Sequence, residues 1–153
     1  MHERVARIIL ALLVMVGVVV GVWAAFDPHG FYRNFPGGGR QWVAVDGPYN
    51  QHFVRDFGAL NLALVAVALV AFWRPRRELL IAVAVGNLAY DIPHLVYHLR
   101  HLDVYDTADK IANVASLGSA LVLPLLLLAV AVRRADTQAP IVPSDEDRIT
   151  SPL

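Results

Sequence analysis

Asn87, Asp91, His94, His98 and His101 can accept hydrogen bonds, exchange protons or ligate a metal, and all five lie in the apolar run 79–102. At about 100° per residue they share one narrow arc of a helix. A charged side chain near mid-bilayer costs roughly 2.5–3.5 kcal/mol on insertion scales, so this arc must face protein or trapped water. Three kinds of chemistry fit the pattern. His94 and His98, four residues apart, have the spacing that places two imidazoles on one metal or haem iron, with His101 one turn further on and Asp91 as a ligand or as an acceptor that orients His94. The HExxH protease signature is absent, because Leu95 stands where its glutamate would be. In the second reading, Asp91 and a histidine exchange protons at the polar head of a small molecule, lipid or quinone, with Arg55 as an anion contact. In the third, Arg55, Asp56, Asn61, Asp91 and the histidines form a hydrogen-bonded network that fixes helix register. Interhelical polar contacts in membranes average only about 0.6 kcal/mol, which makes such a network a weak stabiliser.

The elements that position these residues follow from hydropathy. Of 153 residues, 57% are hydrophobic, which marks one integral membrane domain. Lys plus Arg and Asp plus Glu both number 13, so no charge excess points to nucleic acid, and the absence of cysteine removes disulfides and thiolate sites. Apolar runs at about 8–26, 57–73, 79–99 and 111–132 are each read as a transmembrane helix. For the first run a signal peptide competes, but 19 residues exceed the usual signal core and three more spans follow. The stretch 27–56, dense in Pro, Gly and aromatic residues, is expected to be a structured loop at the headgroup level. Pro75 should separate the second and third spans into an antiparallel hairpin, and Asp106 or Thr107 should cap the fourth. Gly86, Gly118 and Ser119 are expected to allow close helix approach. The membrane domain covers 1–134, and 135–153 reads as a disordered cytoplasmic tail.

Arg4, Arg7, Arg74, Arg76, Arg77, Arg133 and Arg134 all fall on one side if four helices alternate. The positive-inside rule makes that side cytoplasmic, with both termini inside and the loop 27–56 outside. Folding the second and third spans about their turn brings Asn61 to the level of Asp91, Arg55 to that of His98 and His52 to that of His101. Asn113 and Ser116 should reach the level of His94 and Asp91. The polar groups then occupy the outer half of the bundle, and a continuous ion pathway is not expected.

The segments FPGGGRQWVAVDGPYNQHFVRDFGALNLAL and PHLVYHLRHLD resemble a group of uncharacterised four-helix membrane proteins from actinobacteria, over nearly all of Phe26 to Pro124. The resemblance implies a fold and ties His52, Arg55, Asp56, Asn61, His94, His98, His101 and Asp103 to the group's signature. The bundle is also distantly similar to DoxX-like proteins, a family linked to quinone-coupled oxidation, which implies a redox alternative.

The expectation is therefore an all-α, integral membrane four-helix bundle of the cell membrane with both termini cytoplasmic. Its outward-facing site of Asp91, His94 and His98, backed by Arg55, Asn61, Asp56 and His52, would bind a small molecule or a lipid or quinone head group. A metal- or haem-binding redox protein using His94, His98 and His101 is one alternative. An accessory subunit without its own chemistry, in a homo-oligomer or with a membrane partner, is another. The residues do not decide between binding and catalysis.

Overall fold

The computed structural model describes residues 2–136, with side chains as far as residue 133. Within them the chain is all-α: α1 (His2–Phe26), α2 (Pro28–Asn34), α3 (Gln51–Trp73), α4 (Arg77–Arg100), a 3₁₀ turn at Leu102–Val104, and α5 (Thr107–Asp136). By length and composition α1, α3, α4 and the part of α5 up to Arg133 can each cross a membrane, and the chain is a multi-pass membrane protein built as a four-helix bundle. Every spanning helix begins before its apolar run, because polar residues end burial in lipid without ending the helical backbone. Local caps set the true starts. The Asn50 side chain accepts from the backbone N–H groups of His52 and Phe53 at 3.1 and 3.2 Å, and Asp106 accepts from that of Asp109 at 2.8 Å. Of the tail expected to be disordered, 135–136 belong to α5, and 137–153 lie outside the described residues.

The closest helix pairs are α1 with α3 and α4 with α5; α3 meets α4, and α1 meets α5, over shorter stretches. Glycine sets the first pair, at positions other than those expected. A Cβ added to Gly58 would lie 2.8 Å from the Gly21 carbonyl oxygen, and one on Gly21 would lie 3.0 Å from the Leu62 side chain. Gly118 faces open space, and Gly86 meets only Leu64, at 3.5 Å. Gly17 and Gly21, four residues apart, occupy one face of α1, the spacing that lets two membrane helices bring their backbones together. At the arginine-rich end Leu10, Leu80 and Leu127 are wholly buried with Ala6, Ala71 and Ala131; at the other end Ala24, Phe31 and Val54 pack with Trp23, Phe35, Val43 and Phe57.

The stretch 27–56, expected to be loop, opens with a helix. Asp27 accepts from the Gly30 N–H at 3.0 Å and Pro28 occupies the first turn of α2, a position where its missing N–H has no partner to lose. Gly37, Gly38 and Gly39 then take φ of 107°, 64° and 81°, left-handed values that disfavour any side chain. The reversal brings the Trp42 N–H to the Phe35 carbonyl at 2.9 Å. The loop is tied down as a cap: Arg40 pairs with Asp109 at the start of α5, and the Tyr32 hydroxyl donates to the Gly47 carbonyl at 2.7 Å.

Candidate functional site

Under this cap, rings from four segments form a closed circuit. Phe31 of α2 contacts Phe57 of α3 with centroids 5.6 Å apart, Phe57 contacts His94 of α4 at 6.4 Å, and His94 meets His98 edge-on at 4.7 Å. From His98 the path runs to Tyr105 at 6.4 Å, to Trp42 at 6.5 Å, to Phe35 at 6.3 Å and back to Phe31 at 4.7 Å. Tyr90 stacks on His94 from one turn deeper, at 5.2 Å. Two imidazoles are thus set in an otherwise apolar collar where the cap meets the bundle.

The sequence places these rings by phase. On α4 the positions 87, 91, 94 and 98 recur at three and four residues and are half-buried, whereas Ile92, Val96 and Leu99 lie on the outside. Asp91 sits about 4 Å from the midpoint of α4, at 1.5 Å rise per residue, and hence near the middle of the membrane if the helix spans it. No hydrogen-bond donor and no cation engages its carboxyl group among the described residues. His98 Nδ1 is buried without a hydrogen-bond partner, and so are Trp42 Nε1 and Asn113 Oδ1. A buried polar group left unmet costs about 1–3 kcal/mol, so two such groups on rings of one collar, His98 Nδ1 and Trp42 Nε1, stand out.

Asn61 reaches the expected level. It lies beside Tyr90, next to Asp91 in sequence, while its side-chain amide donates to the Phe57 carbonyl of its own helix at 2.9 Å. Arg55, Asp56 and His52 are not joined to the cluster. The Arg55 guanidinium donates to the Ala25 carbonyl at 2.7 Å, at the end of α1, and His52 and Asp56 form an exposed pair at 3.3 Å. The reason is helical phase: the buried stripe of α3 runs through Val54, Gly58, Val65 and Ala68, leaving 52, 55 and 56 on its outer face. His101 lies outside the ring circuit, although it is near enough to His98 to interact with it electrostatically. Its Nδ1 lies 2.8 Å from the Tyr97 carbonyl oxygen and its ring stacks on Tyr97 at 4.1 Å. Among the described residues no three His, Cys, Asp or Glu side chains converge as a metal-binding group, so His94, His98 and His101 supply at most a pair.

Asp46, Tyr90 and Tyr105 belong to the site, although sequence reasoning did not place them there. The Tyr97 hydroxyl donates to Asp46 Oδ1 at 3.3 Å, and the Asp46 charge is felt by His94, His98 and Tyr105. The Tyr105 hydroxyl, buried, donates to the Trp42 carbonyl at 2.9 Å. Burial first, then the negative groups Asp46, Tyr97 and Asp109 when ionised, push the Tyr105 phenol up from 10.0 to about 12. It therefore stays a hydrogen-bond donor at neutral pH. The signal for Tyr105 was its position beside the 3₁₀ turn that follows His98; for Asp46 no local signal exists, since its partners are about 50 residues away.

Comparison with known proteins leaves the fold and the site as the basis for function: no protein-family model, no curated protein and no solved structure matches this chain.

Proposed function

We propose that this protein binds, in the cell membrane, the polar head of a small lipophilic molecule beneath its cap, and that the Asp91–His94–His98 stripe exchanges protons with it. The observation that carries the reading is the unfilled hydrogen-bonding capacity along one stripe of α4: an unengaged Asp91 near mid-membrane and a buried, unpartnered His98 Nδ1 four to five ångströms of ring contact beyond His94. Ionisable residues at membrane depth are costly and typically mark pathways or ligand sites. The indole N–H of Trp42 can only donate, so the ligand must offer an acceptor such as a carbonyl, while His98 can give or take a proton. A quinone head has that chemistry: two carbonyls that become hydroxyls on reduction.

The seven arginines named above put both termini in the cytoplasm and the cap outside. Among the described residues the inner half of the bundle offers no matching polar stripe, so the site exchanges protons with the cap side and not across the membrane.

The test is a titration of the nanodisc-reconstituted protein with a short-tailed benzoquinone, read by tryptophan fluorescence. Saturable quenching is expected, weakened about tenfold or more in His98→Phe, the cost of about one charge-assisted hydrogen bond. Absence of saturation, or equal affinity in the variant, rules out this head group at this site.

A further inference from the structure

The end of the bundle opposite the cap carries a second concentration of chemistry. Arg4 and Arg7 of α1, Arg74 and Arg76 of the α3–α4 turn, Arg77 of α4 and Arg133 of α5 collect there, against Glu3 and Glu78. The cap end is nearly balanced, with five Arg or Lys against six Asp. The helix ends that bear these arginines are held together, since Ala6, Ala71, Leu80 and Ala131 share one core cluster.

Two arginines are pre-set for an anion. Arg7 lies over the Phe72 ring, 5.9 Å from its centroid, and one of its terminal nitrogens pairs with Glu3 at 2.8 Å. Its Nε, like that of Arg77, is buried and has no hydrogen-bond partner. The Arg7 side chain is therefore packed on an aromatic ring with its Nε unspent, the Arg77 Nε is unspent likewise, and Arg74 and Arg76 stand exposed in the adjoining turn. Trp73, 72% exposed next to Arg74, marks the membrane–water boundary at this level. The anion available at that depth is the phosphodiester of a lipid, whose oxygens suit guanidinium geometry.

We propose that Arg7, Arg74, Arg76 and Arg77 form a binding site for the head group of an anionic phospholipid. The site is independent of the one beneath the cap. The apolar outer faces of α1 and α4, with Ile8 and Val85 exposed, give its acyl chains a surface to follow.

The experiment reconstitutes the full chain in nanodiscs of equal phosphatidylglycerol and phosphatidylcholine, then quantifies by native mass spectrometry the lipids that stay bound. Wild type should retain phosphatidylglycerol about tenfold or more over phosphatidylcholine, and Arg74→Gln/Arg76→Gln/Arg77→Gln should bring the ratio close to one. Unchanged circular dichroism in the variant, whose positions 74 and 76 lie outside the core, shows that the fold persists. Equal retention of the two lipids by wild type overturns the proposal, and so does a preference that survives the triple substitution. Displacement of the lipid by millimolar inorganic phosphate would assign the arginines to free phosphate instead.

Discussion

At the scale of single residues, the distinction that matters is between a polar group that stabilises and one that is kept despite its cost. Asp91 has no partner among the described residues, so it does not hold the helices together. Asp91→Leu should leave the bundle as stable or raise its stability by about 1 kcal/mol or more, because a half-buried unpaired carboxyl is replaced by an apolar side chain. Thermal unfolding in detergent measures this, and a loss of stability would instead mean that Asp91 is a structural bond. Tyr105 is the contrasting case. Its phenol is held well above the ordinary value in the folded state, so the stability it contributes is complete below pH 10 and is lost as pH rises towards about 12. Tyr105→Phe should remove that alkaline loss and cost about 1 kcal/mol at neutral pH, through the missing bond to the Trp42 carbonyl. Unfolding followed as a function of pH in both proteins would show it.

Among the elements, close packing is concentrated in α1 and α3. Gly58→Ala should destabilise the bundle by about 2 kcal/mol, since the new methyl would press on the α1 backbone, whereas Gly118→Ala in α5 should be neutral or stabilising by up to about 1 kcal/mol from helix propensity. Denaturation of the two variants side by side separates the cases. The four spans, the break at Pro75 and the Asp106 cap were legible in the sequence because each rests on local hydropathy or local turn chemistry. The stripe of Asp91, His94 and His98 was legible for the same reason, as one periodicity within one helix. What was not legible depends on contacts between distant segments. The pairing of Gly21 with Gly58 could have been sought from the four-residue spacing of Gly17 and Gly21. By contrast, the position of Asp46 over the histidines needs the fold of the whole cap, and Arg55, Asp56 and His52 were misplaced because a match in depth says nothing about which face of α3 a residue occupies.

For the whole molecule, asymmetry between the two ends is the organising property. One end is arginine-rich and closed by leucine and alanine; the other is closed by an aromatic collar and a cap pinned by Arg40 and Asp109. The absence of native cysteine makes topology easy to test. A cysteine at Gly47, where added atoms meet nothing within 4 Å, should react with a membrane-impermeant maleimide in intact cells, and one at Arg76 should react only after lysis. The reverse pattern would invert the orientation.

The central claim is that the stripe under the cap is a ligand site and not a register network. The most direct measurement is mass spectrometry of small molecules released from protein extracted with its native lipid, wild type beside Asp91→Leu/His98→Phe. The expected result is one lipophilic compound, near stoichiometric in wild type and at least about tenfold depleted in the double variant, with bulk lipid unchanged. Identical small-molecule content in both proteins would contradict the claim and leave the stripe without a ligand.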